Sequence, residues 1–464
     1  MPFRSSADLL EEILALGNVP PPEPGQLTIH GGDPVFPYPY PFGTAGAAAL
    51  AAVGLAAHRL WVIRGGRPQR VSVDARAAAT SLRGVLYMTL NGDRPAGKHR
   101  DPLAGFYRVQ DGRWIYIHCY FPSHRDQALK VLGAADRDEA VAKAASWNGI
   151  ALEDAIHEAG GCAGYVRTAR EWEGHPQVRA LQSEALLTIE RIGDASPRPL
   201  DPGDRPLAGC RVLDLTRVLA GPTSTRVLAE HGADVLRVTG PHLPHLGVLE
   251  YDAGAGKLSA HIDLCDQAGQ RVLRELARCA DVFVQSYRPG SMQARGFGAE
   301  DMASLRPGIV YAEVAAWGFT GPWAGRRGYD TVVQAANGMV TRTSPADKPA
   351  MVHVMPTDYL GGYLMAFGVM TALARRAEIG GSWRVRVSLA RIGQWLLGIG
   401  EVPENQWRSL PPDLSPEEID AMSTGFDTTD GPLRMLKPAL SLSETMPFLA
   451  RPPVRLGSDQ PIWP

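Results

Sequence analysis

The segment VHVMPTDYLGGYLMAFGV (352–369) brings together residue types that can do covalent chemistry. A β-like VHVM leads through a proline to Thr357-Asp358, then directly into a helical pattern with glycines at 361 and 362. An aspartate at such a junction has two readings. As an N-cap, its carboxylate satisfies N–H groups of the first turn and does nothing more. As a nucleophile, it is kept ionised by the same helix dipole. Nearby main-chain N–H groups would then stabilise the oxyanion formed on attack at an acyl carbonyl. Gly361 and Gly362 would let a bulky substrate approach the backbone.

Competing chemistries leave weaker marks. After the apolar VLDL (212–215) the loop TRVLAGPTS (216–224) has no GxGxxG, so a dinucleotide fingerprint is absent. GAGKL (254–258) fails as a phosphate loop, because Tyr251 stands at the first glycine position and Leu258 follows the lysine. His242 and His245 read as solvated loop histidines, and without an HExxH motif or a Cys/His cluster no metal is expected. No Gly-x-Ser-x-Gly elbow marks a serine hydrolase.

The elements that must position Asp358 follow a regular pattern from about residue 206. Short apolar runs at 212–215, 234–238, 259–264, 281–286 and 308–317 alternate with helical spacing at 224–232 and 266–280. This predicts an α/β domain, a doubly wound, Rossmann-like parallel sheet covered on both faces. A Pro/Asp/Gly-rich linker (194–209) precedes it. Upstream, GFYRVQDGRWIYIHCY (105–120) reads as a hairpin around Asp111-Gly112, and 122–193 as mostly helical, together a smaller α+β domain over 100–200. Residues 1–99 hold a small-residue helix and a strand (43–75) that match 360–390 in type, a weak internal repeat. Residues 206–395 form the large domain and 396–464 a C-terminal extension.

Composition bounds the function. The 464 residues allow about three domains. Apolar residues at 45% and charged residues at 21% are those of an ordinary folded protein. A net charge of −2 gives no electrostatic case for nucleic acid or an anionic membrane. Five scattered cysteines suit a reducing compartment. The start, with its acidic residues, does not read as a signal peptide, and the apolar run Ala45 to Ala57 is shorter than a bilayer requires. A cytoplasmic protein is expected.

Several segments, in this order and spacing, resemble the family III CoA-transferases, which include formyl-CoA and carnitine CoA-transferases and the α-methylacyl-CoA racemases. They are PLAGCRVLDLTRVLAGP (206–222), HGADVLRV (231–238), ADVFVQSYRPG (280–290), RPGIVYAEVAAWGFTGPWAGRRGYDTVVQAANGM (306–339) and MPTDYLGGYLMAFGV (355–369). The 105–120 hairpin resembles the family's smaller domain, here placed before the large domain and not after it, and 431–459 resembles the family's C-terminal end.

The resemblance implies Asp358 as catalytic residue, with Phe42 or Gly43 at the silent equivalent place in the repeat. It implies contacts to coenzyme A (CoA) from Val218, Leu219, Ala220, Lys257 and Arg288, with Tyr329, Asp330, Gly361 and Gly362 bordering the same site. The substrates would be an acyl-CoA and a carboxylic acid, with no permanently bound cofactor, in an interlocked homodimer. Tyr329 stands where the racemases carry a histidine, and a phenol of ordinary pKa near 10 replaces it poorly as a proton carrier. Transfer of CoA through an aspartyl-CoA thioester is therefore expected before racemisation, with a non-catalytic acyl-CoA-binding subunit as a further alternative.

Overall fold

A computed structural model describes residues 3–95, 101–342 and 348–464. Near the N-terminus β1 (Leu27–His30) runs parallel to β2 (Val71–Asp74), and helix α1 (Phe42–Ile63) makes the crossover that parallel strands require. Helix α2 (Ala75–Ser81) follows β2 without a break. The hairpin expected at 105–120 forms as β3 (Gly105–Arg108) and β4 (Trp114–Ile117). Gly112 supplies the positive φ of its turn, and Asp111 accepts the Arg113 N–H at 2.9 Å. Helices α3 (Pro122–Leu132) and α4 (Gly149–Glu158) pack on this hairpin, and β5 (Ala163–Tyr165) pairs with β4.

The expected parallel sheet is present, with one addition. Strand β6 (Thr188–Gly193) lies at its edge, followed in the chain by β7 (Arg211–Leu215), β8 (Asp234–Thr239), β9 (Leu258–His261), β10 (Val282–Gln285), β11 (Val310–Ala315) and β12 (Ser382–Ser388). The spatial order is β9-β8-β7-β10-β11-β12-β6, parallel except for the antiparallel β6. Neighbouring residues alternate between the two faces: Val212, Val235 and Val282 enter one core, Leu213, Leu236 and Phe283 the other. The helices of this half include α5 (Ala220–Glu230), α6 (Gln267–Arg278), α7 (Asp330–Ala336), α8 (Pro356–Ile379) and α9 (Leu389–Gly398).

Four sequence expectations need correction. VHVM forms no strand, because the side chain of Gln334 on α7 plays the neighbouring strand's part: its Oε1 accepts the Val352 N–H at 3.1 Å and its Nε2 donates to the Val354 carbonyl at 2.9 Å. The smaller domain ends before β6, since 188–193 belongs to the large sheet. Residues 396–464 are not a separate extension: β13 (Leu440–Leu442) pairs with β2, tying the two ends of the chain into one sheet. The boundary placed at 99–100 lies outside the described residues. Finally, α1 outruns its apolar stretch at 22 residues, long and apolar enough to cross a membrane, but 72% of that window is buried and α1 packs along α8.

The internal repeat is a real unit in space. Gly54 on α1 leaves room for Val71 of β2, and Gly368 on α8 leaves room for Val385 of β12, at the same separation along the chain. In that register Asp358 corresponds to Thr44, not to Phe42 or Gly43. The first turn of each helix is held by a carboxylate from earlier in the chain, Asp33 in a loop and Asp330 at the start of α7. Asp33 accepts the Gly43 and Thr44 N–H groups at 3.0 and 2.6 Å, and Asp330 accepts that of Thr357 at 2.9 Å.

Candidate active site

Between β7 and β10 the chain's direction across the sheet reverses, and loops leaving neighbouring strands diverge there. Such a switch point is where open α/β sheets form a crevice at the carboxyl ends of their strands. A cleft of about 530 Å³ opens there, bordered by Leu215, Thr239, Ser286 and Ala315 from four strand ends. Phe121, Ser123 and His124 of the smaller domain line its other wall.

Asp358 lies on this cleft, in the first turn of α8, 6% exposed. It is not an N-cap: the helix begins at Pro356, Met355 occupies the cap, and among the described residues the Asp358 carboxylate accepts no hydrogen bond. Burial, and then the charge of Asp330, push its carboxyl well above the ordinary carboxylate range. The dipole expected to keep Asp358 ionised is thus opposed by two effects, leaving a carboxylate that is poorly solvated when charged. Asp330 is also pushed up by burial, less strongly, because it accepts hydrogen bonds from Thr357 N–H (2.9 Å), Thr357 Oγ1 (2.6 Å) and Gln334 Nε2 (2.6 Å).

The residues expected around Asp358 divide. Val218, Ala220, Arg288 and Tyr329 line the cleft with it. Val218 has φ +70°, strained for a β-branched side chain, at the turn where β7 gives way to α5. Tyr329 stacks on His118 with ring centroids 4.1 Å apart, and burial, followed by Cys162, raises its phenol far above the ordinary value, so it stays protonated.

The other five do not reach the cleft surface. Leu219 points into the core. Lys257 is 1% exposed, and its Nζ donates to Asp214 Oδ2 (2.9 Å), the Pro222 carbonyl (2.9 Å) and Thr225 Oγ1 (2.6 Å). Burial, against the pull of Asp214, lowers its pKa to about 8. It therefore braces the turn into α5 from behind, since the same Asp214 accepts Thr216 N–H at 2.9 Å. Asp330 positions α8 as described. Gly361 and Gly362 serve a helix crossing and not substrate: a Cβ on Gly362 would lie 2.5 Å from Thr223 Cβ and 2.9 Å from the Ala220 carbonyl, and one on Gly361 would lie 3.2 Å from Ile392 Cδ1. The crossing fixes Asp358 one turn from the start of α5.

Beyond Arg288, sequence reasoning passed over the cleft's cations. Arg217, Arg295, Arg326 and Arg327 line it too, while Asp358 is the one carboxylate among its described residues. It passed over His124 as well, whose imidazole is neutral because burial, then Arg327, lowers its pKa to about 4. Arg326-Arg327 beside Tyr329 was the available signal for the first, and the histidines closing the hairpin segment for the second. His242, Asp263 and Cys265 also gather at the rim, with ligand-type atoms within 4.8 Å, but His242 and Cys265 are exposed and Asp263 already accepts the Cys265 N–H at 2.8 Å.

A doubly wound sheet with a cationic cleft at its switch point and a buried aspartate at a helix start is an architecture for binding an anionic, activated acid. The chain matches CoA-transferase family III over residues 25–190 and 207–400, and it belongs to that family. It is 32% identical to the acetyl-coenzyme A transferase nodX of Hypoxylon pulicicidum over 342 residues, covering 68% of this chain and 58% of that one. It is 36% identical to the human succinyl-CoA:glutarate CoA-transferase over 190 residues, covering 38% and 43% respectively. The crystal structure of Rv3272 from Mycobacterium tuberculosis is similar at 33% identity and a TM-score of 0.40, over 42% of this chain and 57% of that one. The chain spans about half the length of the curated relatives it matches.

Proposed function

We propose that the protein moves CoA from an acyl-CoA donor to a free carboxylic acid, with Asp358 as the covalent centre. The observation that carries this reading is Asp358 itself, a carboxylate that among the described residues accepts no hydrogen bond, on a cleft whose other charged lining residues are five arginines. An Asp358 oxygen attacks the thioester carbonyl carbon, the C–S bond breaks, and a mixed anhydride and CoA thiolate result. The thiolate then attacks the Asp358 carbonyl, expelling the donor's acid as carboxylate and leaving an aspartyl-CoA thioester. The acceptor carboxylate attacks that thioester, and the two steps run in reverse to give the new acyl-CoA.

Ala220 and Gly221 line the cleft at the start of α5, where helix N–H groups have no partner within the helix. They are better placed as oxyanion donors than the first-turn N–H groups of α8, because Asp330 already accepts that of Thr357. The arginines supply counter-charge for the phosphates of CoA. The protein adds no metal or redox group to this scheme.

Racemisation is the weaker reading. It needs a second group that takes and returns an α-proton, and neither a neutral His124 with a pKa of about 4 nor a phenol held protonated does so near pH 7. A cytoplasmic location and an interlocked homodimer remain parts of the proposal that come with composition and family; sedimentation equilibrium reads the second. Exchange of CoA between acyl-CoA and a panel of acids tests the function. The unaltered chain should turn over, and Asp358→Asn should lose at least about 10³-fold in kcat. Comparable turnover by the variant would refute the assignment.

A further inference from the structure

The cations of the cleft are not equivalent. Arg326 is paired with Asp154 at 2.6 Å. Arg217 donates to the Pro244 carbonyl at 2.6 Å and Arg295 to that of Ser291 at 3.1 Å, both within the loops at the strand ends. Arg288 is exposed. Arg327 differs from all of these. It is partly buried, lines the cleft, and among the described residues its side chain has neither an ion pair nor a hydrogen bond.

Its guanidinium lies against the smaller domain, with Nη1 3.3 Å from where a Cβ on Gly160 would stand. Gly160, at φ +84°, is the residue that both turns the chain after α4 and leaves that space free. Facing the same part of the cleft, His124 is 4% exposed and its buried Nδ1 has no hydrogen-bond partner among the described residues. The ring of Tyr329 lies 5.8 Å from that of His124, on the same cleft as Asp358. A buried imidazole nitrogen left unpaired is costly, and so is a partly desolvated guanidinium without an anion, so the free protein leaves two polar groups unsatisfied at this corner of the cleft, of which the guanidinium is a donor matched to a carboxylate.

We propose that Arg327 and His124 form the acceptor subsite, holding the remote carboxylate of a dicarboxylic acid while its other carboxylate exchanges at Asp358. The assignment rests on the transferase reading above and names the substrate class for it. A monocarboxylic acid at Asp358 leaves Arg327 without an anion; a dicarboxylic acid supplies one in the planar geometry a guanidinium pairs best. The arginines of the strand-end loops remain for the phosphates of CoA.

Steady-state transfer from acetyl-CoA to acetate-type monocarboxylic acids and to dicarboxylic acids from malonate to adipate separates the possibilities. The unaltered chain should favour a dicarboxylic acid, and Arg327→Gln should lower the ratio of kcat/KM for dicarboxylic over monocarboxylic acceptors by about tenfold or more. The loss should appear in the acceptor KM, and Arg327→Lys should restore part of it. If the ratio is the same in both proteins, or if the parameter that moves is the KM for acetyl-CoA, the acceptor subsite is overturned while the transferase reading stands. If the unaltered chain passes CoA to no acid at all, the transferase reading fails and takes this assignment with it.

Discussion

Two aspartates of ordinary appearance have opposite duties. Asp330 spends its carboxylate on Thr357 and Gln334, whereas Asp358 keeps its own unspent. Asp358 was legible because a Pro-Thr-Asp at the mouth of a glycine-bearing helix is a local pattern. The role of Asp330 was not, because its partner Thr357 is brought to it by the fold, and the resemblance implied a place bordering the ligand instead. Lys257 misled in the same way: the resemblance implied a contact to CoA, and the fold instead pairs its ammonium with buried Asp214.

The raised pKa of Asp358 has a thermodynamic consequence. A carboxyl whose folded pKa lies above its unfolded value binds its proton more tightly in the folded state. Stability then falls as pH rises from the unfolded value through the folded one, and the cost is full above the latter. Asp358→Asn removes that cost. Calorimetry should show the variant more stable than the unaltered chain at pH 8, on the order of 1–3 kcal/mol, with the difference vanishing near pH 4. A variant less stable at pH 8 would contradict the account of the site's electrostatics.

At the scale of elements, the buried parallel strands were readable because each is a short apolar run serving two cores. β6 escaped notice because TIERIG carries no apolar run and occupies the sheet edge, where half its surface faces water. VHVM alternates like a strand, yet the hydrogen bonds a strand would need go to Gln334. The glycines of α8 were read as room for substrate and proved to be room for other helices, Gly362 for α5 and Gly361 for α9. That crossing sets the distance between Asp358 and the start of α5, and neither Thr223 Cβ nor the Ala220 carbonyl is the yielding end of a flexible side chain. Gly362→Ala should therefore move one helix against the other, costing about 1–3 kcal/mol in a denaturant titration and about tenfold or more in kcat. Retention of both would show that the crossing does not position Asp358.

At the scale of the molecule, the order of segments was legible and their joins were not. Pairing of β13 with β2, and of β6 with β12, links stretches far apart in the chain, and nothing in local spacing reports such partners. The repeat brings α1 alongside α8, so one of two similar helices carries an aspartate where the other carries Thr44, and that aspartate lies on the cleft at the switch point. The fold thus concentrates a claim about the whole chain in one side chain. The decisive measurement is peptide mass mapping after incubation with acetyl-CoA and hydroxylamine, which converts an activated carboxyl to a hydroxamate. The account predicts a hydroxamate on Asp358, dependent on acetyl-CoA and absent from Asp358→Asn. Sustained CoA transfer with Asp358 unmodified, or modification of another carboxylate in its place, would contradict it.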